Sequence, residues 1–154
     1  GGLAILRNPE SAPRTPAMIE MRFPQGGASP LHAHAKIDDT FYVFEGEIVV
    51  RYGDDMFVAR AGDVVSLTHG VPFTFLVTSE GGARVLMIHD GDSFLSLVEE
   101  LGTPATEFRL PREGEFNADP ETVMRLCEKY ETPVMGPPLS EAEAREFLSN
   151  AGGQ

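Results

Sequence analysis

Two histidines and a carboxylate lie within eight residues of one another, at His32, His34 and Asp39. In an extended strand, residues two apart point to the same face and lie about 7 Å apart along the backbone. The imidazoles at positions 32 and 34 can therefore lean onto a single ion. Two ring nitrogens and one carboxylate oxygen suit iron, nickel, manganese or zinc. The spacing predicts a metal site with these three residues as ligands.

Residues 3 to about 90 have the pattern of short strands separated by turns. The separating segments are rich in Gly, Asp and Pro and recur about every 8–12 residues, which is typical of a small antiparallel sandwich or barrel. Helical periodicity is absent from this region. The expected strands are Ala17–Phe23, Leu31–His34, Asp39–Tyr52, Met56–Ala59, Val64–Leu67, Phe73–Thr78 and Arg84–His89.

The pattern changes at residue 93, where apolar residues recur at helical spacing, with Ser93 as the expected cap and Gly102 as the stop. Asp119-Pro120 predicts the start of a second helix, and a capping box of Ser140 and Glu143 predicts a third. Residues 132–138 are expected to form an extended connector. The chain thus divides into a barrel with a closing helix, 3–102, and a Pro-rich and helical extension, 103–154, packed on the barrel or on a partner subunit.

Composition excludes several partners. The net charge is −12, and no basic patch is present, which argues against nucleic acid and against an anionic membrane surface. No apolar stretch approaches the roughly 18 residues of a membrane-spanning helix. The single cysteine, Cys127, cannot form an internal disulfide and is expected to be a small buried hydrophobe. A cytoplasmic protein is therefore expected.

The histidine stretch resembles the first motif of the cupin superfamily. That motif has Gly, then His-x-His, an acidic residue and a second Gly, and here Gly26, His32, His34, Asp39 and Gly46 occupy those places, with Asp standing for the family's Glu. The resemblance covers roughly residues 17–90 and implies an all-β fold, a cupin-type jelly-roll β-barrel with a short C-terminal helical tail. It is most similar to small single-domain bacterial cupins of the quercetin-dioxygenase-like kind.

A second cupin motif follows in frame from Gly62 but lacks its metal ligand. Phe73 stands where the family has its last metal histidine, Thr68 replaces a proline, and Val77 replaces an asparagine. Two interpretations stay open. Either His32, His34 and Asp39 hold a divalent transition metal, iron or nickel before zinc or manganese, with open positions for dioxygen and substrate. Or the site is metal-free, and His32 and His34 act as acid and base.

Aromatic residues alternate along two of the expected strands. Phe41, Phe73 and Phe75 are expected to line the interior, either as plain core or as the wall of a pocket for an aromatic or polyketide-like substrate, with Tyr42 as a further polar contact. His89 could replace the missing ligand, but a histidine at a strand end before Asp90-Gly91-Asp92 is more typical of a surface or turn residue. His69 is expected to face solvent.

The first functional hypothesis is a metal-dependent oxygenase that acts on a small aromatic or polyketide-like molecule inside the barrel. The alternatives are a non-redox cyclase, isomerase or dehydratase of secondary metabolism, and a barrel that binds a small molecule without catalysis. The resemblance also implies a homodimer, since cupin barrels commonly pair through their outer sheet and terminal strands. The expected partners are therefore a small-molecule substrate and a second copy of the chain.

Overall fold

Across residues 1–152, which the computed structural model describes, ten strands form two antiparallel sheets of five. The first sheet has the order β1-β2-β9-β4-β7 and the second has the order β10-β3-β8-β5-β6. Residues 153 and 154 of the expected extension lie outside the described residues. The strands are β1 Leu3–Leu6, β2 Ala17–Phe23, β3 Leu31–His32, β4 Asp39–Glu45, β5 Glu47–Tyr52, β6 Asp55–Arg60, β7 Val64–Leu67, β8 Phe73–Val77, β9 Ala83–His89 and β10 Val134–Gly136.

The single strand expected over Asp39–Tyr52 was wrong, because the chain leaves the first sheet at Gly46 and enters the second. Gly46 has φ +91°, and a Cβ there would lie 2.8 Å from the Cα of Ala83. Only glycine satisfies both the positive φ and the close approach of the neighbouring backbone. This residue therefore lets two consecutive strands, β4 and β5, belong to different sheets.

The main core lies between the two sheets. Alternate residues of each strand point inward, so Phe41 and Val43 of β4 meet Val50 of β5 and Phe75 of β8 in one apolar cluster. These four residues are buried. The cupin-type all-β fold expected from the sequence is confirmed by these two packed sheets. The short β1, which pairs with β2 at the edge of the first sheet, was not expected.

Three helices follow the sheets: α1 Ser93–Leu101, α2 Pro120–Lys129 and α3 Glu141–Gly152. The caps of the last two agree with the sequence, since Asp119 accepts a hydrogen bond from the Thr122 amide and Ser140 and Glu143 cap each other. The expected Ser93 cap was wrong. The residue before α1 is Asp92, whose side chain makes no capping hydrogen bond.

The extension packs on the sheets of the same chain. The connector expected over residues 132–138 contains β10, which pairs with β3 at the edge of the second sheet. Helix α3 covers the outer face of that sheet, where Ala144 packs against Val49 and Leu76. Helix α2 packs on α1 through Leu126 and Cys127, and Cys127 is buried, as expected. The tail therefore reaches the strand that begins the His-x-His segment.

Candidate metal centre

His34, Asp39 and His89 come together in the interior near the ends of their strands. Each offers one ligand atom, and the three atoms lie within 4.8 Å of one another. All three side chains are buried, and His89 is fully so, at 0% exposed. Two imidazoles and a carboxylate in this arrangement are a ligand set for a divalent transition metal. The three residues could therefore hold one ion.

The pairing of β4 with β9 explains why Asp39 meets His89. Asp39 is the first residue of β4, His89 is the last residue of β9, and the two are direct partners in the antiparallel register. Directly opposed residues project from the same face, with Cβ atoms about 5 Å apart. The result is a contact of 3.1 Å between His89 Nε2 and Asp39 Oδ1.

His34 reaches the same point from the second sheet. It follows β3 by two residues, and its backbone carbonyl accepts a hydrogen bond of 2.8 Å from the Gly70 amide. The amides of Ala33 and Ala35, on either side, donate to the carbonyls of Pro133 and Glu131. With its backbone fixed in this way, His34 places Nε2 3.6 Å from Asp39 Oδ2.

The electrostatics of the buried carboxylate favour its charged form. Burial alone would raise the pKa of Asp39, but the imidazoles of His34 and His89 beside its oxygens outweigh burial and hold the pKa below its ordinary value. Asp39 therefore carries a negative charge inside the protein. A buried charge is costly unless a partner compensates it, and a metal cation is such a partner.

Three polar atoms of this cluster lack hydrogen bonds: Asp39 Oδ1 and both ring nitrogens of His89. The 3.1 Å contact between Asp39 and His89 falls within hydrogen-bonding distance, but its alignment is too poor to count as a hydrogen bond. Buried polar atoms without partners are rare, because each costs about 1–3 kcal/mol. Ligation of a cation would satisfy Asp39 Oδ1 and a His89 nitrogen. The residues present therefore fit a metal.

His32 lies beside this cluster but outside it. Its ring centroid is 5.3 Å from that of His34, and its Nδ1 donates a hydrogen bond of 2.7 Å to the Pro30 carbonyl, which can only accept. Burial lowers the pKa of His32 to about 4, so the ring is neutral near pH 7. Of the three expected ligands, His34 and Asp39 thus come together in the cluster, and His32 does not belong to it. Ligation by His32 stays a prediction.

Phe73 is the cross-strand partner of His32 in the pairing of β8 with β3. The two ring centroids lie 4.3 Å apart. The position that a histidine occupies in the second motif is thus filled by a phenyl ring packed against an imidazole. His89, from a different strand, is the second histidine that meets Asp39.

Aromatic rings lie beside the cluster and in the adjoining core. The Phe41 ring packs edge to face against Phe73 and Phe75, with centroids 6.2 and 6.0 Å apart. Phe94 of α1, which the sequence did not indicate for the site, lies 5.0 Å from His89 and 5.7 Å from His34 between ring centroids. Tyr42 does not reach the cluster. It lies on the opposite face of β4, is 37% exposed and contacts Phe44.

The expectation that His89 is a surface or turn residue was wrong. The sequence placed a histidine at the end of a strand, but only the register of β4 and β9 shows that this end is buried opposite Asp39. The expectation for His69 is confirmed, since it is exposed and its Nδ1 pairs with Asp38 at 2.8 Å. The sequence of the strand gave little signal for His89, because Leu86 and Ile88 are as apolar as Val85 and Met87. The alternation of buried and half-buried positions that puts residue 89 on the inner face appears only in the structure.

The family model described as the cupin domain matches residues 19–89. Residues 19–89 form a cupin domain. This match confirms the resemblance drawn from the two motifs. The matched segment contains Asp39 and ends at His89, the last residue of β9. Among proteins of curated function, none matches the chain.

Solved structures similar to this chain show the fold alone, because sequence identity is low. The cupin 2 conserved barrel domain protein from Salinispora arenicola has a TM-score of 0.52 and 15% identity, over 64% of this chain and 83% of that one. The cupin domain of Cnp3 from Schizosaccharomyces pombe has a TM-score of 0.50 and 15% identity, over 66% and 72%. A predicted oxalate decarboxylase from Thermotoga maritima has a TM-score of 0.46 and 23% identity, over 48% and 64%. The chain thus spans less than two thirds of that last protein.

Among residues 1–152, the cupin contains no helix with the length and apolar character needed to cross a membrane.

Proposed function

We propose that this cupin is a metal-dependent oxygenase that acts on a small aromatic or polyketide-like molecule. The observation that carries the proposal is the buried cluster of His34, Asp39 and His89, in which one oxygen of a charged carboxylate and both nitrogens of one imidazole lack hydrogen-bond partners. Two histidines and one carboxylate are the ligand set of non-haem iron oxygenases. Iron or nickel bound there would supply a redox-active Lewis acid with coordination positions left open.

Each residue of the cluster has a distinct task. Asp39 supplies the negative charge that offsets a divalent cation, and the imidazoles of His34 and His89 supply nitrogen ligands. His32, neutral at physiological pH, adds no charge to the site and presents its unprotonated Nε2 beside His34. This set of ligands balances one charge of a divalent ion, which leaves the centre attractive to an anionic or ionisable substrate group.

The surroundings of the cluster favour an apolar substrate. Phe73 and Phe94 border the histidines from two sides, with ring centroids between 4.3 and 5.8 Å from the imidazoles. Aromatic walls exclude water and stack on flat rings. This argues for an aromatic or polyketide-like substrate over a sugar, and it gives Phe73 and Phe94 the role of substrate contacts.

A metal-free cyclase, isomerase or dehydratase is the second candidate. It is favoured by Phe73, which fills the place of a metal histidine in the second motif and packs against His32. However, a pKa of about 4 makes His32 a weak base near pH 7. This candidate also leaves the buried Asp39 charge and the His89 nitrogens without compensation, so the oxygenase is preferred.

Metal content tests the first proposal. Purified, untagged protein is reconstituted with iron(II) or with nickel(II) under exclusion of air, and bound metal is measured by plasma mass spectrometry. We expect near one metal per chain, and we expect His89→Gln and Asp39→Asn to reduce it to background. Both substitutions keep the side-chain volume roughly constant, so the folded state, checked by circular dichroism, should survive.

His69→Gln is the matched control, since it removes the exposed histidine that pairs with Asp38. This variant should bind as much metal as the wild type. No metal above background in the reconstituted wild type would overturn the metal centre and favour the metal-free enzyme or a binding barrel. Oxygen uptake with a panel of small phenols and flavonols then separates an oxygenase from a metal-binding protein without turnover.

A homodimer remains part of the proposal. Light scattering of the native protein gives its mass directly, and the chain mass is 16.7 kDa. A value near twice the chain mass is expected, and a monomer would contradict it.

A further inference from the structure

Thr132 is the one residue of the extension whose side chain hydrogen-bonds to the histidine cluster among the described residues. Its hydroxyl lies 3.1 Å from His34 Nδ1. Thr132 is 2% exposed, and the hydrogen bond is fully buried. The residue lies outside the segment 19–89 that matches the cupin domain. A residue from the tail thus contacts a proposed metal ligand.

The backbone explains how Thr132 comes to face His34. Strand β10 pairs with β3 so that Val134 lies opposite His32. Two further hydrogen bonds continue this antiparallel frame past the end of β3, from the Ala33 amide to Pro133 and from the Ala35 amide to Glu131. In that frame, residue 132 stands directly opposite residue 34. The contact between Thr132 and His34 therefore depends on the pairing of the two backbone segments as well as on the rotamer of one side chain.

The backbone at the end of α2 also places Thr132 opposite His34. Glu131 follows the helix with φ +57°, a left-handed conformation that is uncommon for a residue other than glycine. The Thr132 amide then donates to the Cys127 carbonyl at 2.8 Å, which closes the helix end. Lys36 pairs with the Glu131 side chain at 2.7 Å and ties the same turn to the loop after His34.

The hydroxyl also determines which nitrogen of His34 carries the proton. A threonine hydroxyl has one hydrogen to donate, and Thr132 donates it to the Tyr130 carbonyl at 3.3 Å. In that arrangement the oxygen accepts from His34, whose protonated nitrogen is then Nδ1. Nε2 is left with its lone pair on the side of Asp39, 3.6 Å from Oδ2. This is the tautomer in which Nε2 can bind a cation.

We propose that Thr132 is a positioning residue that holds His34 in the Nδ1–H tautomer with Nε2 turned into the cluster. The C-terminal extension thereby completes the centre that the cupin domain begins. The effect on metal affinity rests on the proposed function, whereas the tautomer does not. Partners that hold the outer nitrogen of a ligating histidine typically contribute 10- to 100-fold in affinity.

The tautomer is read in the metal-free protein by long-range proton–nitrogen correlation NMR, at a pH where the imidazole is neutral. We expect Nδ1–H for His34 in the wild type and in Thr132→Ser, which keeps the hydroxyl. In Thr132→Val, which has nearly the same shape but no hydroxyl, we expect a mixture of tautomers. Competition with a chromophoric chelator then gives the affinity for cobalt(II), with about a 10- to 100-fold loss expected in Thr132→Val alone.

Thr74→Val is the matched control. Thr74 is also buried, and its hydroxyl also ties the extension to the sheets, through the Ser29 carbonyl at 2.7 Å and the Leu139 amide at 3.0 Å. That variant should lose stability without any change in the tautomer or in cobalt affinity. Similar changes in both variants would overturn the specific role of Thr132 and reduce it to general support.

The proposal and the metal centre fail in different ways. A His34 that carries its proton on Nε2 in the wild type overturns the proposal, and this result needs no variant to fold. Unchanged tautomer and affinity in Thr132→Val also overturn it, while cobalt binding by the wild type keeps the metal centre. A wild type with the Nδ1–H tautomer but no cobalt binding supports the positioning role and refutes the metal centre.

Discussion

At the scale of single residues, Glu20 is a second buried carboxylate, and its surroundings differ from those of Asp39. The Glu20 side chain is 3% exposed and is held by the guanidinium groups of Arg7, Arg22 and Arg84. The contact with Arg84 joins its Nε to Glu20 Oε1 at 2.6 Å. Glu20 has its own cationic partners, whereas Asp39 faces only imidazoles, so the need for a further cation is specific to the histidine cluster.

The Glu20 cluster predicts how stability depends on pH. The hydrogen bond from Arg84 is the main cause that lowers the pKa of Glu20 from 4.5 to about 2. A carboxylate with a depressed pKa in the folded state stabilises it above the unfolded-state pKa. That contribution is lost as the pH falls from about 4.5 toward 2. Glu20→Gln should therefore lower the free energy of unfolding near pH 7 by about 1–2 kcal/mol. The lower value is expected, because the arginines stay partly exposed to solvent.

Urea unfolding across the acid range measures this effect. The difference between wild type and Glu20→Gln should be largest near neutral pH and should narrow below about pH 4.5. Glu99→Gln is the control, since Glu99 pairs with Arg14 on the surface, where both side chains are more than 40% exposed. It should change stability by less than about 0.5 kcal/mol. A Glu20→Gln difference that stays constant with pH would contradict the assignment.

The residues of the site differ in how far the sequence alone could reveal them. His34 and Asp39 were identifiable because they stand at fixed spacing in one short segment. His89 lies fifty residues further along the chain, and its contact with Asp39 depends on the register of β4 with β9. Thr132 depends in the same way on the pairing of β10 with β3. Spacing within a segment is visible in a sequence, but register between distant segments is decided by the packing of the whole sheet.

At the scale of elements, turn residues predicted most strand ends correctly, and the errors among the strands have physical causes. β1 and β10 have only four and three residues, too few to show an alternating pattern, and each pairs at the edge of its sheet. The break at Gly46 was missed because residues typical of strands lie on both sides of it, in β4 and in β5. The helices were easier, because capping residues such as Asp119 and Ser140 act within one turn of the chain.

Gly46 and Gly62 give an element-scale prediction, since both have φ +91° but differ in the space around them. A Cβ at Gly62 would meet nothing within 4 Å, whereas one at Gly46 would collide with the backbone of Gly82 and Ala83. Gly62→Ala should therefore cost only the backbone strain, about 1–2 kcal/mol. Gly46→Ala should cost about 1–3 kcal/mol more, because the crossing between the sheets must also shift.

Thermal and urea unfolding of the two variants separate these contributions. The comparison controls for backbone strain, because both substitutions place alanine at the same φ. Equal destabilisation would show that the backbone around Gly46 relaxes freely. The crossing between β4 and β5 would then impose no fixed separation on the two sheets, in contradiction to the prediction.

At the scale of the whole molecule, the proposed metal centre joins parts that are far apart in the chain. Asp39 and His89 belong to the first sheet, His34 follows a strand of the second, and Thr132 comes from the extension. An ion held by the first three would link the two sheets at one end of the core. Such an ion binds the folded chain and not the unfolded one, because unfolding separates its ligands. Binding should therefore stabilise the whole fold.

A thermal shift measures that coupling. At a free metal concentration about 100 times the Kd, the gain is about 2.7 kcal/mol, which corresponds to a rise in Tm of roughly 5–10 °C for a chain of this size. The net charge of −12 also attracts cations to the surface without any built site. The shift must therefore disappear in His89→Gln and persist in His69→Gln. Equal shifts in both variants would assign the stabilisation to surface carboxylates and would leave the buried cluster without a metal.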